Sequence, residues 1–155
     1  MDIQDLLYTI FRVSHNILRW VVLLTALFAI IRAITGLSFR RTFMKEDDRA
    51  GLWFTIAMDL QLLIGIVLYF FLSPITTLAL QNFGGAMSDP GQRFFAVEHT
   101  SMMLLAVIIA HVGRSLSRKA PTPAQKHRRA LIFYAIALVI VIAAIPWVQR
   151  SLLPF

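Results

Sequence analysis

Long apolar runs alternate along this chain with short charged connections. A bilayer hydrocarbon core about 30 Å thick needs about 20 mainly apolar residues at about 1.5 Å each. Four stretches meet that length: 12–32, centred on WVVLLTALFAII; 51–72, GLWFTIAMDLQLLIGIVLYFFL; 94–113; and 130–146. Ser73-Pro74 stops the second and Pro146-Trp147 the fourth, because proline lacks the amide donor that a continuing helix requires. Ile3, Leu6, Leu7, Ile10 and Phe11 precede the first run at helical spacing and predict a lead-in lying along the interface. Asp2 and Asp5 stand where a signal peptide would be basic, and no small-residue cleavage pattern follows, so the first segment is expected to be retained. The connection 73–93 holds Gly84-Gly85 and Asp89-Pro90-Gly91 and reads as an exposed, turn-rich loop. The predicted fold class is all-α, an integral membrane four-helix bundle forming one domain over 1–155.

Composition agrees with bilayer as the solvent: 58% of residues are apolar and 15% charged, with a mean hydropathy of +0.72. The net charge of +7 would suggest nucleic acid in a soluble protein. Here the basic residues cluster in connections instead. Arg32, Arg40, Arg41, Lys45, Arg49, Arg114, Arg118, Lys119, Lys126, Arg128 and Arg129 make 11 of the 15 on one side, against Arg12, Arg93 and Arg150 on the other. The positive-inside rule then puts 33–50 and 114–129 in the cytoplasm and both termini outside, in a multi-pass protein of the inner (cytoplasmic) membrane. No nucleic-acid partner is expected. The absence of cysteine excludes disulfides, thiolate zinc sites, iron–sulfur clusters and covalently attached c-type haem built from this chain. Metal chemistry must rest on histidine and carboxylates.

An ionisable side chain inside a membrane helix costs about 2.5 to 3.5 kcal/mol on insertion scales and normally faces protein and a partner. The misfits are His15 and Arg19 in the first run, Asp59 in the second, and Glu98, His99 and His111 in the third. His15 lies one turn inside Arg12 and His99 nearly two turns inside Arg93, so both fall roughly 5 to 9 Å deep in the outer leaflet. The two helices run the same way, which keeps matched depths together. Two imidazoles facing across a bundle interior are what six-coordinate b-type haem requires. Arg12, Arg93 and Arg19 could pair with its propionates. The alternative for either histidine alone is a hydrogen bond to a headgroup or carbonyl. His111 follows His99 by about 18 Å and about 120°, which suits a second haem in depth but not in direction. Its nearest partner, His127 in QKHRR, reads rather as a solvated side chain. Depth also pairs Arg19 with Asp59, as a buried ion pair locking the bundle, with Glu98 as competitor. The fourth run has no ionisable residue and reads as packing or wall. Gly65, Ala106 and Ala110 would permit close helix approach, and Met102 and Met103 read as packing.

HNILRW at 15–20, LQLLIGIVLYF at 60–70, RFFAVEHTSMML at 93–104, HVGRS at 111–115 and IPW at 145–147 resemble a group of small four-helix bacterial membrane proteins labelled cytochrome b-like. The likeness spans nearly the whole chain. It implies a haem b subunit in which His15 and His99 are the matching histidines. The function expected is electron transfer to or from quinone or a partner protein, with one haem and a second left open; whether it catalyses anything itself is left open too, at most as the electron-transfer subunit of an oxidoreductase complex, because no nucleophile, base and orienting group can be recognised together. A cofactor-free accessory subunit of a larger respiratory or photosynthetic membrane complex is the competing reading. A carrier using Asp59 and Glu98 is a third, disfavoured by the absence of repeats or broken spans.

Overall fold

Asp2 opens the first helix, its carboxylate accepting the Ile3 amide at 2.6 Å. Residues 2–147 are described in a computed structural model, and these fold into six helices with no strand among them: α1 Ile3–Ser38, α2 Lys45–Leu72, α3 Pro74–Gln81, α4 Phe83–Ser88, α5 Pro90–Lys119 and α6 Pro123–Ala143. Arg150, counted above on the outer side, lies outside the described residues.

Two expectations about local structure are corrected. The lead-in before Arg12 is not separate from the first apolar run: both belong to one helix of 36 residues, about 54 Å long. The connection 73–93 is helical rather than a loop. Pro74 and Pro90 sit in first turns, where the missing amide costs nothing, and Asn82 and Asp89 cap α4 and the start of α5 through the Gly85 and Gln92 amides. The same residues that mark turns also start helices.

Four long helices dominate. α1 packs on α2 and α6, and α5 packs on the same two, so each has two neighbours around a shared interior. That interior is built from small side chains. Ala26, Ala29 and Ala33 of α1, Ala50 and Ala57 of α2, Ala106 and Ala110 of α5, and Ala137 of α6 are all buried, letting backbones approach closely. Large apolar side chains such as Leu24, Leu63, Ile108 and Val139 point outward. A water-soluble core would have the opposite arrangement. α1, α2 and α5 are long and apolar enough to cross a membrane, which points to membrane association. α6 carries Lys126, Arg128 and Arg129 in its first two turns, leaving the uncharged run 130–143, about 21 Å of helix.

Ion pairs fasten the ends of α2 and α5 that carry most of the basic residues. Arg32 holds Asp47 at 2.8 Å, and Asp47 also accepts the Met44 amide. Asp48 takes Arg114 at 3.0 Å and Arg118 at 3.5 Å. His127, expected to be solvated, is buried instead. Gly36 leaves the space that its ring occupies against α1, and Phe43 closes over it at 5.1 Å between ring centres.

Candidate cofactor site

The last turn of α2, Leu68–Leu72, and the second turn of α5, Phe94–Glu98, both widen to π-helical hydrogen bonding. Such turns are rare, and they occur frequently at functional sites because the extra residue displaces a carbonyl from the regular ladder. Side chains take up two of these carbonyls. The Tyr69 hydroxyl of one π turn donates to the Ala96 carbonyl of the other at 2.9 Å, and Thr100 donates to the Phe95 carbonyl at 3.1 Å. The first of these ties α2 to α5. The second stands just ahead of the turn where His99 projects.

His99 Nδ1 lies 2.8 Å from the carbonyl oxygen of Ala144. A carbonyl can only accept, so this nitrogen carries the proton and Nε2 presents its lone pair. Ala144 caps the C-terminus of α6, where the final carbonyls lack helical partners. The fourth apolar run is therefore more than wall, since its end orients an imidazole. The His15 ring stands across from His99, with ring centres 6.3 Å apart and planes inclined by 64°. His15 lies against Gly65, and its backbone carbonyl accepts from Gln61 at 3.1 Å. The two histidines paired by depth are thus neighbours.

Both line a cavity of about 490 Å³ that all four long helices enclose. α1 contributes Arg12, His15 and Arg19; α2 contributes Met58, Gln61, Gly65 and Tyr69; α5 contributes Phe95, His99 and Met103; and Val141 and Ile145 close the α6 side. Much of the remaining lining is aliphatic or aromatic. No aspartate or glutamate lines the cavity, so its two arginines give it a positive interior. Arg19 is buried there, its guanidinium 5.5 Å from the Trp20 ring, and Arg12 lies 5.7 Å from the Tyr8 ring. Among the described residues no group of three or more His, Cys, Asp or Glu is gathered as a metal site. Two imidazoles suffice where the metal arrives inside a macrocycle.

Other residues expected at the site lie elsewhere. Arg93 is bound to Glu98 at 2.9 Å and to the Met87 carbonyl, and is not part of the cavity wall. His111 does not line the cavity either. Its Nε2 is 2.7 Å from Asp59 Oδ1 on the α2–α5 seam. That contact replaces the expected Arg19–Asp59 pair, and it leaves Glu98 engaged with Arg93 rather than competing for Arg19. Tyr69, Gln61 and the Ala144 carbonyl were not anticipated. Gln61 and Tyr69, two turns apart on the face of Gly65, could have been found as polar groups in an apolar run. A backbone carbonyl leaves no such mark.

No family model, no curated protein and no solved structure matches this chain.

Proposed function

We propose that the chain is a b-type cytochrome-like membrane subunit that carries electrons to or from quinone or a partner protein, with haem b held between His15 and His99. In this reading the four long helices form a transmembrane bundle in the inner membrane, with both termini on the non-cytoplasmic side. α6 crosses with its basic first turns reaching the cytoplasmic interface, where lysine and arginine stems can extend to headgroups.

The observation that carries the proposal is the facing pair of imidazoles in a positive, mostly apolar cavity. His15 and His99, with ring centres 6.3 Å apart, would hold the iron between their imidazoles. The hydrogen bond from His99 Nδ1 to Ala144 fixes the tautomer that a ligating histidine needs, as carbonyl partners commonly do for metal-bound histidines. Arg12 and Arg19 are suited to the two carboxylates of a haem, and the mostly apolar lining suits its macrocycle. When bound, haem would supply one-electron redox chemistry, its potential set by the axial ligands and the surrounding charge.

The test is a reduced-minus-oxidised absorption spectrum of the purified, haem-supplemented chain. Bis-histidine b-type bands are expected, and both His15→Ala and His99→Ala should abolish them. Bands that survive both substitutions would refute the ligand assignment. A correctly folded chain that takes up no haem would favour the accessory-subunit reading.

A further inference from the structure

Asp59 and His111 belong to helices long and apolar enough to cross a membrane, yet their side chains are 50% and 48% exposed on the outer surface of the α2–α5 seam. Hydrocarbon does not accommodate such a pair cheaply, and intramembrane ionisable groups almost always face protein or a water-filled cavity. Ile56 and Leu63 of α2 and Leu104 and Ile108 of α5 are exposed as well. Such a pair calls for a polar partner on this face. We propose that it is the interface with a second copy of this chain, the two copies being related by a twofold axis along the membrane normal. The proposal rests on the membrane placement argued above and not on the haem.

The chemistry of the pair selects a second copy. His111 Nε2 and Asp59 Oδ1 satisfy each other, and among the described residues His111 Nδ1 and Asp59 Oδ2 have no hydrogen-bond partner. With a proton on His111 Nδ1, the pair offers one outward N–H donor and one outward oxygen acceptor. Two copies inserted in the same direction meet at equal depth, so the pair encounters itself. The twofold also reverses lateral order, setting Asp59 of each copy opposite His111 of the other. Donor then meets acceptor twice, the self-complementarity that an isologous interface demands. The flanking leucines and isoleucines would pack around this four-residue polar centre.

The chain has no cysteine, so single-cysteine variants report the contact without background. In native membranes under mild oxidation, co-expressed and differently tagged Leu63→Cys and Ile108→Cys chains should form a disulfide-linked dimer, because the twofold sets α2 of one copy against α5 of the other at about equal depth. Leu24→Cys and Val139→Cys, each 65% exposed on α1 and α6, should not. Adding Asp59→Leu with His111→Leu should lower the cross-linked fraction several-fold. Native mass measurement of the unsubstituted chain in dilute nanodiscs should give two copies per disc, independently of any variant's folding. Equal cross-linking with Leu24→Cys or Val139→Cys, a single copy per disc, or cross-links solely to a different protein would overturn the proposal. Retention in carbonate-washed membranes separates the outcomes: a chain that is retained but monomeric refutes the dimer alone, whereas a chain that is washed out refutes the membrane placement beneath it.

Discussion

At the scale of single residues, Arg12 and Arg19 decide how much the cavity favours added negative charge. A cation beside a redox centre stabilises the reduced state, and low-dielectric walls strengthen its effect. Under the proposed function, Arg19→Gln or Arg12→Gln should therefore lower the midpoint potential of the haem taken up by the chain. The expected size is about 1 kcal/mol, which for one electron is about 40 mV. Removing the net-neutral Arg93–Glu98 pair, which lies outside the cavity wall, with Arg93→Gln/Glu98→Gln should leave the potential in place. A potentiometric titration that finds no change for either cavity arginine would remove both from the site. His15 and His99 were legible as a pair because depth can be counted from Arg12 and Arg93 and their helices run in parallel. Asp59 was misassigned by the same method. Depth put it across a gap that the long Arg19 guanidinium could span, but one residue is a rotation of about 100°. Its neighbour Met58 faces the cavity, and Asp59 faces the seam with α5.

Elements meet through missing side chains. Gly113 of α5 lies so close to Phe133 of α6 that an added Cβ would collide with the phenylalanine Cβ, and both are parts of packed helices with little room to move. Gly113→Val should cost about 1–3 kcal/mol by overpacking. Its thermal unfolding midpoint in detergent should fall clearly below that of Gly84→Ala, since Gly84 has open space around it. Similar midpoints for the two variants would mean that the α5–α6 seam tolerates separation. Because α6 also brings the Ala144 carbonyl to His99, Gly113→Val should weaken haem retention too. The existence of the four long helices was legible in hydropathy, and their ends were not. Helical hydrogen bonding in α1 continues past Arg32, the expected end of the run, to Ser38, and the prolines and capping residues of 73–93 initiate helices as readily as they break them. The π turns were illegible for a different reason: an extra residue in a helical turn is a property of packing between Tyr69 and Ala96 and has no periodicity to read.

For the whole molecule, orientation follows from charge, and the ion pairs described above do not weaken the argument. Asp47 and Asp48 neutralise part of the basic side through Arg32, Arg114 and Arg118, but the orientation rule counts lysine and arginine, with little contribution from acids. The side bearing 33–50 and 114–129 should therefore be cytoplasmic, leaving the His15–His99 half of the molecule toward the outside, where the proposed electron transfer would find its partner. The absence of cysteine allows a direct check. Ser88→Cys and Ala124→Cys replace exposed residues in the two connections predicted to lie on opposite sides. A membrane-impermeant maleimide should label Ser88→Cys in cells whose outer envelope is permeable to it and whose inner membrane is intact, and should reach Ala124→Cys only after that inner membrane is opened. The reverse order would invert the molecule and move the histidine site to the cytoplasmic half. Labelling of both without permeabilisation would mean that α5, the helix between the two positions, fails to cross.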